Sequence, residues 1–308
     1  YSVTATASDG TNSTTQSITV SVTNLNDNSP AFTSSATFSA AENQTSIGTL
    51  TATDADASDS VTFTVSGSEL SITSAGALTF AATPDYETKT SYTATVTATD
   101  GTNSTTQSIT VSVTNLNDNS PVFTSSASLS ANENQTTIGT VAASDADGNT
   151  LSYSISGTDA SSMGINSSSG ALTFNSAPDY ETKSSYSVTA TASDGTNSTT
   201  QSIAVSVNDL NESPAFASSA SFSAAENQTS IGSVSVSDPE SGSITYALSG
   251  TDASSMAISS SGVLTFASAP NYEVDNSYSA TVTASDGTNS VAQNITVSVT
   301  DVNDAPVA

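Results

Sequence analysis

Along Tyr92-Thr-Ala-Thr-Val-Thr-Ala98 every second residue is apolar, so Tyr92, Ala94, Val96 and Ala98 alternate with threonines. The same period of two runs through Ser108-Ile-Thr-Val-Ser-Val113, where Ile109, Val111 and Val113 share one face. Successive side chains of a strand point to opposite faces, so this alternation predicts strands with one buried and one wet face. Between the two runs, Asp100-Gly101-Thr102-Asn103 supplies the chemistry of a turn. Residues 47–53, 61–66 and 77–80 are further strand candidates. No stretch carries the 3.6-residue spacing of an amphipathic helix.

The pattern repeats. Tyr1-Ser-Val-Thr-Ala-Thr-Ala-Ser-Asp-Gly10 returns with small changes at Tyr92, Tyr186 and Tyr278, at spacings of 91, 94 and 92 residues. Pro30, Pro121, Pro214 and Pro306 keep step at 91, 93 and 92. Periods this long describe separate modules in series and not a thin solenoid. The chain therefore divides into 1–29, the last two strands and linker of a truncated repeat, and three repeats at 30–120, 121–213 and 214–308, the last with its following linker. Short strands and frequent turns over ~92 residues predict an all-β fold of tandem seven-stranded Greek-key β-sandwiches, immunoglobulin-like in architecture. Many inward positions are Ala or Val, so each core is lean. Two strands alone, as in 1–29, are marginal. Donation of that pair to another copy would need a module lacking it, and the last module keeps its own at 278–284 and 295–299. A chain that begins at Tyr1 and not at Met reads as a window cut from a longer one.

Charge changes the picture. There are 29 acidic residues against two cations, Lys89 and Lys183, for a net charge of -27. Such a chain repels nucleic acid and anionic membranes. No run of apolar residues approaches the ~18 that a membrane span needs. Cys and His are both absent, which removes disulfides, thiolate or imidazole metal ligation and a Ser-His-Asp triad. Any metal must then be hard and oxygen-seeking, calcium before magnesium.

The carboxylates are clustered. All but Asp59, Glu69, Asp159, Asp252 and Asp275 lie in five recurring motifs: A-x-E-N, D-A-D or D-P-E, [DN]-Y-E, a Ser/Thr-Asp-Gly turn, and an Asn/Asp-rich linker before each proline. A merely solvated acidic surface would spread them over the outward strand positions, which are nearly all Ser and Thr. Gathering like charges costs repulsion unless a cation offsets it.

The order Ala41-Glu42-Asn43-Gln44, Asp54-Ala55-Asp56, Asp85-Tyr86-Glu87, Asp100-Gly101 and Asn115-Leu-Asn117-Asp118-Asn119-Ser-Pro121 resembles cadherin repeats of the bacterial cadherin-like kind. The resemblance runs the length of the chain and implies calcium bound between successive modules. For the joint between repeats one and two it implies Glu42, Asp85 and Glu87 as ligands from below. The linker would give Asn115, Asn117, Asp118 and Asn119, and Asp145, Asp147 and Asp194 would come from above. For the next joint the set is Glu133, Asp179 and Glu181, then Asp209, Asn211 and Glu212, then Asp238, Glu240 and Asp286. The two end sites are partial. One holds Asn24, Asn26, Asp27, Asn28, Asp54, Asp56 and Asp100, and the other Glu226, Glu273, Asp301, Asn303 and Asp304. Asn24 and Asn115 stand where the family has Asp, Asn271 replaces the first Asp of [DN]-Y-E, and the linker 209–214 is one residue short. Each Asp-to-Asn change removes charge, and two or three ions per complete joint are expected.

Every reactive-looking group recurs in each module, which is the behaviour of a structural part and not of an enzyme. The expected role is a calcium-rigidified extracellular stalk of a bacterial surface adhesin, working in calcium-dependent cell adhesion. The alternative is a subunit of an extracellular filament or matrix that assembles through module–module contacts. Partners on these readings are calcium ions, other copies of the chain or a cell-surface ligand. The outward Thr-x-Thr rows are ordinary strand surface, and the recurring Tyr and Phe residues fall at packing positions.

Overall fold

The computed structural model describes residues 1–56 and 60–303, so Asp59 and Asp304 lie outside the described residues. Among those described there is no α-helix, and no helix is long and apolar enough to cross a membrane. By contact density the chain separates into two compact units. The first comprises Tyr1–Val122, Ser144–Leu151 and Ser193–Ser198. The second comprises Phe123–Ala143, Ser152–Ala192 and the chain from Thr199 onward.

The first unit holds one complete sandwich. Its four-stranded sheet has the order Thr37–Ala41, Ser104–Thr114, Ser91–Thr99, Thr62–Val65. Thr37–Ala41 runs parallel to Ser104–Thr114, and the other pairs are antiparallel. The opposing sheet pairs Ser46–Thr49, Ala77–Phe80 and Leu70–Ile72, with a separate ribbon of Ala31–Phe32 and Ala52–Thr53. The inward positions expected from the alternation are the core: Val96, Ala98, Ile109, Val111 and Val113 are buried against Leu50, Leu78 and Phe80. Tyr92 packs edge-on to Phe80, with ring centroids 5.0 Å apart. The hairpin Ser2–Ser8 with Ser13–Thr19 has the register of the other hairpins but no facing sheet, and all its residues are exposed.

The second unit holds two further cores. Their four-stranded sheets have the same order, Ser128–Asn132, Ser198–Asn208, Ser185–Ser193, Ser152–Ser156 and Ser221–Ala225, Ser290–Thr300, Ser277–Ser285, Thr245–Ser249. Across each core lie three strands, Thr137–Thr140, Ala171–Phe174, Met163–Ile165 and Ser230–Ser233, Val263–Phe266, Met256–Ile258.

Residues 47–53, expected as one strand, are two. Ser46–Thr49 pairs with Ala77–Phe80, whereas Ala52–Thr53 pairs with Ala31–Phe32. Between them Leu50 is fully buried, and its N–H bonds to the Gly76 carbonyl at 2.8 Å, turning the chain from one partner to the other. Strand 61–66 is trimmed to Thr62–Val65. Single 3₁₀ turns at Ala160–Ser162 and Ala253–Ser255 carry no periodicity that the sequence would reveal.

The sharp corner repeats with a glycine. Gly170 has φ +69°, and a Cβ there would lie 2.0 Å from the Val141 carbonyl oxygen, whose own N–H bonds to Gly170. Gly157 also has positive φ, but a Cβ there would meet its nearest atom at 3.5 Å. Gly157→Ala should therefore carry only the conformational cost of ~1 kcal/mol, and Gly170→Ala that cost plus a backbone clash, ~2 kcal/mol or more. Calorimetry on the intact chain in calcium checks this, and equal losses for the two variants would contradict the close approach.

Candidate metal centres

Each joint is organised by a glutamate taken almost out of water. Glu42, Glu133 and Glu226 are 2, 2 and 3 % exposed. Each follows the first strand of its four-stranded sheet, and each accepts two backbone N–H groups from two other segments. Glu42 Oε2 takes Tyr86 N–H and Oε1 takes Leu116 N–H, both at 2.8 Å. Glu133 takes Tyr180 at 2.8 Å and Leu210 at 2.7 Å, and Glu226 takes Tyr272 at 2.9 Å and Val302 at 2.8 Å. A buried carboxylate is tolerated when charge-assisted bonds satisfy it. These bonds fix where the [DN]-Y-E turn and the linker lie relative to the strand.

Around the linker 115–119 in the first unit, Glu42, Glu87, Asp118 and Asp147 each place an oxygen within 4.8 Å of the others. Two oxygens on one calcium at ~2.4 Å cannot be more than ~4.8 Å apart, so this set meets the distance condition. In the second unit the same condition is met by Glu133, Glu181 and Asp209, by Glu181, Glu212 and Glu240, and by Glu226, Glu273 and Asp301.

Unsatisfied oxygens point the same way. Among the described residues, ten buried side-chain polar atoms lack a hydrogen-bond partner, and six are carboxylate oxygens of these motifs. They belong to Asp54, Asp100, Asp145, Glu212, Asp238 and Glu240. A buried carboxylate oxygen without a donor is costly, and each of these is an acceptor that a hard cation could satisfy.

Residues 125–208 match the family profile described as Cadherin domain. The structure is similar to repeats EC22–24 of mouse cadherin-23, at 25% identity and TM-score 0.56, over 90% of this chain and 100% of that one. It is similar to the protocadherin GammaB4 extracellular domain at 26% identity and TM-score 0.58, over 97% of this chain and 54% of that chain, so it spans about half that neighbour's length. With repeats EC1–4 of PcdhgB3 the TM-score is 0.70 at 21% identity, over 98% and 83% of the two chains. No curated protein matches. The fold is that of tandem cadherin-like sandwiches.

Within these cadherin-like joints the aspartates divide by role. Asp147 Oδ2 accepts the N–H groups of Asp118 and Asn119 at 3.1 and 2.9 Å, and Asp56 Oδ2 does the same for Asp27 and Asn28 at 3.0 and 2.8 Å. Asp54 and Asp145 use one oxygen on the N–H of Asp56 and Asp147, leaving the other free. Asp100, Asp194 and Asp286 each turn one oxygen into their own loop, taking the N–H groups two and three residues on. Asp85 and Asp179 are not brought into the clusters: Asp85 bonds to the Thr88 N–H and hydroxyl, and Asp179 to the Thr182 N–H. In the linkers, the Asn24 side chain adds to the bonds that hold Asp56 low, and Asn115 Nδ2 reaches the Asp147 carbonyl at 2.9 Å. Asn303 is exposed.

The short linker is compensated by one residue. Glu212 donates its N–H to Glu240 Oε1 at 3.0 Å, the bond made by Asp118 and Asn119 elsewhere. Its side chain accepts from Asn134 Nδ2, as Asp118 does from Asn43. Glu240, one methylene longer than Asp56 or Asp147, reaches the shortened segment.

One set of site residues escaped the motif reading. Asn103, Asn197 and Asn289, at the end of each Asp-Gly turn, clasp the linkers through Nδ2. Asn103 reaches Asn26 Oδ1 and the Asn28 carbonyl, both at 2.9 Å. Asn197 reaches Asn117 Oδ1 at 3.2 Å and the Asn119 carbonyl at 3.0 Å, and Asn289 the carbonyls of Asn211 and Glu212 at 3.1 Å. Their recurrence in D-G-T-N was visible as a repeat.

Crowding raises the proton affinity of three carboxylates. Glu212 is pushed up from 4.5 to about 7, first by the hydrogen bond it shares with Glu240, then by burial and the charges of Glu133 and Glu240. Burial followed by the charges of Glu42 and Asp147 raises Glu87. In Glu181 a bond from its own backbone N–H is outweighed by burial and the charges of Glu133, Asp209 and Asp179, and it too is raised. Between the unfolded and folded values these three groups bind more protons in the folded chain, so the stability they contribute is full below 4.5 and is lost as pH rises through that window toward about 7. In chelator, the unfolding temperature should drop from ~pH 5 to ~pH 7, and Glu212→Gln should flatten part of that slope. Calcium should remove the drop, because binding favours the deprotonated ligands. A metal-free unfolding temperature that climbs over this range would contradict the proton-sharing geometry.

Proposed function

We propose that this chain is a calcium-rigidified extracellular stalk, part of a bacterial surface adhesin in calcium-dependent cell adhesion, and that it has no catalytic role. The observation that carries the reading is the gathering of carboxylate oxygens within 4.8 Å of one another beside the buried clamps Glu42, Glu133 and Glu226. The working division is 1–29, 30–120, 121–213 and 214–308, with the linkers 115–119 and 209–212 as the two complete joints.

The mechanism is mechanical. Glu42 and Glu87 come from the strand end and turn below the linker, Asp118 from the linker itself and Asp147 from the loop beyond it. Uncompensated, four carboxylates at this separation repel, and the linker is held by hydrogen bonds alone, among them the backbone bonds to Glu42 and Asp147 and the Asn197 clasp. Calcium would supply the charge and the shared coordination that join the segments. Extracellular calcium modules bind at about 10⁻⁴–10⁻³ M, which suits a protein working outside the cell. Similarity to the extracellular domain of protocadherin GammaB4 supports that setting.

Small-angle scattering with and without chelator tests the idea. The maximum dimension should be larger and the flexibility lower in millimolar calcium, and an unchanged profile would sink the mechanism. Chains that remain monomeric in calcium fit the stalk, whereas lateral or end-to-end association would assign the chain to a filament. Asp118→Ala combined with Asp147→Ala should loosen the joint at 115–119 and leave that at 209–212 intact. Distances measured between spin labels across each joint would show this, and equal softening at both would refute the ligand assignment.

A further inference from the structure

The two lysines of the chain occupy the same place in successive repeats. Lys89 Nζ pairs with Glu69 and lies 4.4 Å from the centroid of the Tyr92 ring. Lys183 Nζ pairs with Asp159 at 2.5 Å and lies 4.4 Å from the Tyr186 centroid. These two repeats thus hold a primary ammonium between a carboxylate and an aromatic face, a combination that both charge and ring quadrupole favour.

Repeat three keeps the box and lacks the lysine. Asp275 stands at that position: its N–H bonds to the Asn271 carbonyl at 3.0 Å, as Lys183 N–H does to Asp179 and Lys89 N–H to Asp85 at 2.9 Å. Asp252 is built like Asp159, its Oδ2 accepting Ser279 N–H at 2.8 Å as Asp159 Oδ2 accepts Ser187 N–H at 2.8 Å. The Asp159 oxygen that meets Lys183 is Oδ1, and Asp252 Oδ1 has no hydrogen bond among the described residues. Tyr278 packs on Phe266 with centroids 5.0 Å apart, matching Tyr186 on Phe174 at 4.9 Å. Asp275 Oδ1 accepts the Ser277 N–H at 3.2 Å and Asp252 Oδ2 the Ser279 N–H, so the two carboxylates bind the backbone on either side of Tyr278, whose hydroxyl is raised first by burial and then by their charges. A groove of about 400 Å³, lined by Ser255, Pro270, Val274 and Tyr278, runs alongside, as its counterpart does beside Tyr186.

We propose that repeat three binds the ε-ammonium of a lysine from a basic partner protein, the head between Asp252 and Asp275 over Tyr278 and the aliphatic stem in the groove. The precedent is within the molecule, since the equivalent carboxylate and ring hold a lysine in both other repeats. A second copy of this chain is a poor donor because Lys89 and Lys183 are already engaged. A net charge of -27 draws in a basic partner.

The experiment is an NMR titration of the intact chain in saturating calcium, so that the joint carboxylates are occupied, with Nα-acetyl-lysine N-methylamide as probe. Ring and amide signals of Tyr278 and Ser279 should shift saturably, with a dissociation constant on the order of millimolar. The norleucine analogue, which lacks the ammonium, should produce no saturable shift. Asp275→Asn should weaken binding several-fold. Asp275→Lys should abolish it and raise the unfolding temperature by restoring the internal pair, a gain that also shows the variant folds. Non-saturating shifts, equal shifts at Tyr186, or binding that survives Asp275→Lys would overturn the proposal. Comparing a lysine-containing neutral peptide with 1,5-diaminopentane separates the sources, and tighter binding of the free diamine would assign the site to small amines and reject the protein partner.

Discussion

Glu42, Glu133 and Glu226 put a formal charge where a β-sandwich ordinarily puts an apolar side chain, and the rest of each joint is arranged around that choice. An ionised carboxylate at 2–3 % exposure survives only if its oxygens are fully engaged. Backbone N–H groups of the [DN]-Y-E turn and of the linker's second residue supply that engagement. The clamp is satisfied entirely by main chain, so it needs no particular side chain at Leu116, Leu210 or Val302, three exposed apolar residues. What it needs is a turn and a linker at fixed positions. The glutamate of the turn and the linker carboxylate are thereby delivered close to the buried one, and Glu226 is held below its ordinary pKa by those same two backbone bonds. A hydrogen-bonded anion thus sets the geometry for the carboxylates gathered around it.

The joint at 209–212 shows how much of this is geometry and how little is residue identity. Losing one linker residue removes one of the two N–H groups that the facing aspartate takes elsewhere. The side chain opposite is Glu240, and the linker residue is Glu212, which serves at once as acceptor for Asn134, donor to Glu240 and carbonyl for Asn289. Two longer carboxylates now meet directly, which is why Glu212 is pushed up to about 7. Shortening the linker preserved the hydrogen-bond pattern and concentrated the repulsion.

Fold and joint were legible to different degrees, for physical reasons. Alternation at 92–98 and 108–113 announced the hairpin and its buried face, because a strand's side-chain period is fixed by the backbone. The carboxylate sets were legible because a module repeated three times separates constrained positions from free ones. Tertiary hydrogen bonding was not. Nothing local marks the corner at Leu50, which exists because a carbonyl at Gly76 lies within reach. Asp85 and Asp179 carry the motif and also accept the N–H of the threonine three residues on, an interaction as local as any N-cap. Asn103, Asn197 and Asn289 looked like turn residues, and they are; that their amides also reach a linker more than seventy residues away is a property of the assembled fold.

Charge in this protein is separated by function. The cores contain no ion pair, the outward strand faces are Ser and Thr, and carboxylates gather where segments meet. On the proposed reading the sandwiches would be nearly indifferent to calcium and the joints dependent on it, since apolar burial does not change with the cation while carboxylate repulsion does. The same separation explains why the modules tolerate a change such as Lys183 to Asp275 between repeats two and three. That position is exposed in both, and in all three repeats its N–H makes the same bond to the first residue of the [DN]-Y-E turn, so reversing its charge keeps that bond while changing what the surface attracts. Repeats built this way can diverge in what they touch without altering how they are joined.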